Sequence, residues 1–174
     1  MKKLFLILCL PLLIIACQEK APEPMEAEVA EVDPNLEKFH KNVETTKAFL
    51  QAFCDKDSTK MFSYASEDFL WSPPSVGRDS LPRATWEEAM KGFMGAYNDI
   101  EFTNGQYFAG LDDNQKPNGD VRVYGLWKSK MAETGSEQRL KWYAVLFFNE
   151  EGKAVHSAEW YDTADLTKPY EPGM

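Results

Sequence analysis

The stretch Gly152-Lys153-Ala154-Val155-His156-Ser157-Ala158-Glu159-Trp160-Tyr161-Asp162 decides how the chain is read. It is bounded upstream by Asn149-Glu150-Glu151-Gly152, a tight turn in which glycine can take positive φ. That makes it the second arm of a hairpin. Strand alternation puts Val155, Ser157, Glu159 and Tyr161 on one face and His156, Ala158, Trp160 and Asp162 on the other. His156 and Glu159 therefore share no site unless a bulge intervenes. Counting back through the turn sets Tyr143 opposite Glu159 and Val145 opposite Ser157. Asp162, before Thr163-Ala164-Asp165-Leu166, reads as the N-cap of a helical turn.

Working outward, the first arm is Leu140 to Asn149, and two earlier strands span Val121 to Met131 and Ile100 to Gly110. Helical signals precede them. Leu36, Phe39, Val43, Phe49, Leu50 and Phe53 recur at helical spacing, and Asp57-Ser58 starts a short second helix. Phe69 to Ser72 is a short strand stopped by Pro73-Pro74. Thr85-Trp86-Glu87-Glu88 has the form of a capping box, with a helix running to about Tyr97. Helices followed by long sequential strands imply an α+β domain with helices packed on a mostly antiparallel sheet.

The first sixteen residues have another character. Lys2 and Lys3 precede an apolar run too short to span a bilayer unaided, ending in Ile14-Ile15-Ala16-Cys17. This resembles a bacterial lipobox, implying a leader over 1–16, a lipid on Cys17 and a place in the bacterial cell envelope, at the outer membrane. An ordinary secretory leader with an incidental cysteine is the alternative. Residues 17–34, rich in Glu, Ala and Pro, read as a tether, with the domain over 35–174. Of the three cysteines only Cys54 would remain free, a small buried hydrophobe or a reactive thiol. A net charge of −9 without Lys/Arg runs argues against nucleic acid. His40 and His156 form no metal-ligand spacing, and no cofactor is implied.

The order of elements resembles the nuclear transport factor 2-like superfamily, and SnoaL-like domains in particular. The ending Gly152-Lys153 followed by Glu159-Trp160-Tyr161-Asp162 carries most of the likeness, which extends over roughly residues 38 to 166. It implies a cone of helices on a curved sheet, a scaffold that hosts isomerases, cyclases and binding modules alike. Ketosteroid isomerases of this kind have a base aspartate before a proline where Ser72 stands here. They have a tyrosine where Phe49 stands, and an acid on the strand that here reads LKWYAVLFF. Those catalytic groups are missing. In SnoaL-like cyclases the last-strand acid falls on Glu159 and the histidine on Ser157.

The resemblance points Glu159 and Tyr161 into the cone. Glu159 is then a general acid/base with Tyr143 or Tyr161 beside it, a hydrogen-bonding anchor for a small ligand, or a structural carboxylate satisfied by a tyrosine, Lys141 or a loop amide. The expected pocket comprises Tyr64, Trp71, Phe93, Tyr97, Tyr143, Ser157, Glu159 and Tyr161, suited to a small apolar ligand. The opposite face would expose Trp142, Leu146, Phe148 and Trp160, a patch suited to a homodimer. With the faces reversed, Trp142, Trp160 and His156 would line the cavity instead.

Overall fold

The computed structural model describes residues 33–171. The expected leader, Cys17 and the tether up to residue 32 lie outside the described residues.

Helix α1 (Pro34–Cys54) starts at Asp33, whose carboxylate accepts the Asn35 N–H, with Pro34 at the first helical position. Its buried stripe is Phe39, Val43, Phe49 and Leu50, the spacing of one helix face. Helix α2 (Ser58–Ser63) is capped by Asp57, which accepts the Lys60 N–H at 2.9 Å. Strand β1 runs Ala65–Ser72, and a two-residue strand β2 (Leu81–Pro82) pairs back on it. Helix α3 spans Arg83–Ala96. The expected capping box does not form, because β2 delivers the chain into the helix two residues before Thr85. Pro82 occupies the cap position without a side-chain bond. Arg83 holds this end instead, donating to the Ser66 carbonyl and to Glu87, both at 2.8 Å.

Four strands follow: β3 (Tyr97–Leu111), β4 (Pro117–Met131), β5 (Glu137–Phe148) and β6 (Ala154–Trp160), and then a 3-10 turn at Thr163–Leu166. The sheet order is β2-β1-β6-β5-β4-β3, antiparallel except where β1 runs parallel to β6. Pairing of β3 with β4 slips at three places, with positive φ at Asp99 and Asn104. Such irregularities bend a strand, and they curl the sheet around the helices. Beneath the helices Trp86 is the hub, 4.4 Å from Phe69, 5.0 Å from Phe62 and 6.0 Å from Phe49 between ring centroids.

The β5–β6 hairpin departs from the register expected from its turn. Gly152 has φ of 71° as anticipated, and Phe148 faces Ala154. The next pair is Phe147 with His156, so Val155 is an extra residue in β6. Beyond this bulge Tyr143 faces Trp160, Ala144 faces Glu159 and Leu146 faces Ser157. One residue of slip transfers every β5 side chain to the other face. Trp142 (7% exposed) and Leu146 (1%) are therefore core residues beside Glu159, and Phe148 packs on the core. The contact surface expected from Trp142, Leu146 and Phe148 does not exist. Of that group Trp160 alone is exposed, at 51%.

Candidate functional site

The curled sheet and helices α1 and α3 enclose a cavity of about 80 Å³. Phe49 and Phe53 enter it from α1, Met90 and Phe93 from α3, and Trp127 and Trp142 from the sheet. Aromatic, aliphatic and methionine side chains make up most of the wall, and Ser129 and Gln138 add polar groups. Among the described residues one carboxyl lies in it, that of Glu159.

Three elements converge on this carboxyl. Trp71, at the end of β1, donates its indole N–H to Oε1 at 3.0 Å. Ser157, on the same face of β6, donates its hydroxyl to Oε1 at 3.2 Å. Trp142 donates its indole N–H to Oε2 at 3.3 Å. All three donors are neutral. Burial pushes the Glu159 carboxyl above the usual range, and the bonds from Trp142, Trp71 and Ser157 offset part of that rise. By surface area Glu159 is only half-buried, because both the cavity and a depression behind it reach the residue. The carboxyl itself lies deep in the protein, and desolvation governs its charge.

The mouth is tied down by polar contacts. Tyr97 donates its hydroxyl to the Leu166 carbonyl at 2.6 Å, and Gln138 donates to the Asp165 carbonyl. Asp162 caps the 3-10 turn between them, accepting the Ala164 N–H at 2.9 Å, as its position in the sequence implied. Tyr161 lines the cavity; burial first, and the charge of Glu159 second, push its phenol well above the ordinary range.

Of the expected pocket residues, Phe93, Tyr97, Glu159 and Tyr161 line the cavity, while Trp71 and Ser157 bind its carboxyl. Tyr64 packs against the main core without lining the cavity. Tyr143 is misplaced by the sequence reading. It lies on the outer face, stacked between Tyr124 (4.4 Å) and Trp160 (5.2 Å), and accepts a hydrogen bond from Arg122 Nε at 3.2 Å. The Val155 bulge is the reason, and the same slip brings in Trp142, which the sequence had turned outward. Trp127 and Gln138 were also missed, since neither period nor motif separates a cavity ring from a core ring. Cys54 is free and half-buried, and burial raises its thiol above the usual value. Among the described residues no cluster of His, Cys, Asp or Glu is placed to hold a metal.

Helices folded over a curled six-stranded sheet, with the cavity between them, define a nuclear transport factor 2-like fold. Many solved structures are similar, and three illustrate the likeness. One is a candidate isomerase from Bacillus subtilis, with a TM-score of 0.62 and 16% identity over 74% of this chain and 91% of that one. A candidate polyketide cyclase from Xanthomonas campestris has a TM-score of 0.59 and 14% identity, covering 74% and 96%. A nuclear transport factor 2-like protein from Burkholderia xenovorans has a TM-score of 0.57 and 17% identity, covering 76% and 98%. At these identities the likeness shows the fold alone. No protein-family profile matches the sequence, and no curated protein matches it by sequence.

Proposed function

We propose that the chain is an envelope-anchored binding module that takes the slim apolar end of a small molecule into the inner cavity. One observation carries this reading: the carboxyl that stands in a mostly aromatic and aliphatic wall already has both oxygens engaged by protein donors. A carboxyl so occupied is a poor proton relay and a good polar marker at the base of an apolar slot. A cavity of about 80 Å³ takes a short alkyl end or part of a single ring, with the remainder of the ligand at the mouth beside Tyr97.

The indole N–H groups of Trp71 and Trp142 report on Glu159, so phenol titration followed by their NMR resonances tests the proposal. Saturable shifts of both, lost when Leu140→Phe fills the cavity, are expected. Unmoved indole resonances at millimolar phenol would overturn it.

A second reading has one observation in its favour, the raised affinity of the Glu159 carboxyl for its proton. A carboxyl that holds its proton more tightly than usual suits a general acid, the role that cofactor-independent lyase, isomerase or hydrolase chemistry on a small apolar substrate would need. Several proteins of similar fold are described as cyclases or isomerases. Glu159→Gln separates the readings: phenol binding within a few-fold of the parent supports the module. Loss of deuterium exchange into a simple aryl ketone in the same variant would support the enzyme.

The anchoring rests on the sequence around Cys17. A lipidated peptide beginning at Cys17, found by mass spectrometry, and release of Cys17→Ser from the membrane fraction are the expected results. We also propose that two copies associate through the outer sheet face. Trp160, Tyr124 and Phe108, at 51%, 39% and 50% exposure, support that placing in place of the residues now buried.

A further inference from the structure

On the outer face of the sheet a second set of reactive groups comes together. Ser72 ends β1, where Pro73-Pro74 stops the strand. The parallel pairing sets Leu70 beside His156 and Ser72 beside Ala158, so residues eighty-odd positions apart share one face. Ser72 Oγ lies 2.8 Å from His156 Nε2. The Ser80 N–H also points at Ser72 Oγ, from 3.0 Å. Ser80 is held at φ of 58°, a left-handed conformation uncommon for a residue with a side chain.

The donor count orients the pair. A serine hydroxyl has one proton and two acceptor positions. The Ser80 amide fills one acceptor position. The hydroxyl proton is free to point at Nε2, with the imidazole in the tautomer protonated at Nδ1. Stacking on Phe147, at 5.2 Å and 17°, fixes the plane of the His156 ring. Burial lowers the affinity of that ring for a second proton, and the nearby Asp79 carboxylate opposes the effect in part. A neutral imidazole bonded to a serine hydroxyl is the arrangement that activates the oxygen as a nucleophile.

There is room for a substrate. Ser72 lines a depression of about 310 Å³, walled by Pro73, Pro74, Val76, Ala158 and Trp160, with Asp79 at its edge. That volume falls at the small end of ligand sites. Ser75, Gly77 and Glu159 complete the lining, so the walls mix polar and apolar surface, and the Asp79 charge disfavours anions.

We propose that Ser72 and His156 form a second, nucleophilic site on the outer sheet face, which accepts the acyl group of small uncharged esters. Ser72 Oγ attacks the ester carbonyl carbon while its proton passes to His156 Nε2. The tetrahedral adduct collapses, the bond to the alcohol oxygen breaks, and Nε2 returns the proton to the departing alkoxide. Water then attacks the acyl-serine, giving its proton to Nε2. Collapse releases the carboxylic acid and restores the Ser72 hydroxyl, so ester and water become acid and alcohol.

The test uses the intact chain with p-nitrophenyl acetate for turnover and phenylmethanesulfonyl fluoride for labelling. A sulfonyl adduct on Ser72, mapped by peptide mass spectrometry, and ester turnover that this adduct blocks are expected. His156→Gln should slow both by about 10²-fold or more, the usual contribution of a positioned base. Ser72→Ala should reduce turnover to that of buffer. Ser72→Cys covers the case in which loss of the hydroxyl unfolds the 73–80 loop. Its thiol should react with iodoacetamide faster than Cys54 does, and adding His156→Gln to that variant should slow the reaction. No adduct on Ser72, or rates that His156→Gln leaves unchanged, would reduce the pair to a tie between loop and sheet and overturn the proposal.

Discussion

At Glu159 three neutral donors meet a carboxyl withdrawn from water, and its charge state couples to the stability of the fold. Because the folded protein raises this group's affinity for a proton, its favourable contribution is complete below the unfolded carboxylate value of about 4.3 and fades as pH rises through the higher folded value. The parent should therefore lose stability relative to Glu159→Gln as pH rises above about 4.3, until the folded value is passed, measured by urea unfolding at each pH. Parallel curves would refute the coupling. His156 shifts in the opposite direction, so the difference between the two proteins, rather than either curve alone, isolates Glu159. The donors matter separately. Trp142→Phe keeps an aromatic side chain, smaller than the indole, and removes the N–H from Oε2; the lost bond should cost about 1–3 kcal/mol beyond the lost volume. Trp127→Phe, at a neighbouring ring that makes no bond to Glu159, is the matched control in the same assay.

Among the elements, β4 and the β5–β6 hairpin shape the cavity. Gly125 of β4 faces Trp142, and the Phe102 ring of β3 lies over it. A Cβ at this position would sit 2.0 Å from the Phe102 ring, far inside contact distance. Gly125→Ala must push Phe102 off its edge-on contact with Trp142 at 5.7 Å. A loss of about 1–3 kcal/mol is expected from overpacking, seen in urea unfolding together with a changed near-ultraviolet circular dichroism spectrum. Gly152→Ala is a milder change at the hairpin turn. Its φ of 71° suits glycine, and the nearest neighbour of an added Cβ, Asn42 Oδ1 at 3.5 Å, leaves space. The cost should be that of the left-handed backbone alone, about 1–2 kcal/mol. Period-two alternation and the turn residues made both strands of this hairpin legible in the sequence. The Val155 bulge was not legible, because nothing in Ala154-Val155-His156 marks which residue the ladder will skip. That omission turned Trp142 outward and Tyr143 inward in the sequence reading.

Over the whole molecule, the outer face presents the stacked series Tyr124, Tyr143 and Trp160, with Phe108 edge-on at 5.8 Å from Tyr124. Sedimentation of the parent and of Trp160→Asp tests the proposed self-association. A dimer that the charge converts to monomer is expected, and a parent monomeric at all concentrations would end the idea. The sequence by itself determined the order of the helices and long strands, the hairpin at Gly152, and the caps at Asp57 and Asp162. Each depends on neighbours along the chain: period, turn chemistry, or a side chain reaching its own backbone. Tertiary structure alone decided what Glu159 touches and what Ser72 meets. Trp71 lies 88 positions from Glu159, and Ser72 lies 84 from His156; the parallel pairing of β1 with β6 brings both pairs together. A parallel neighbour is reached by a crossover through the rest of the fold, so it leaves no local periodicity to read.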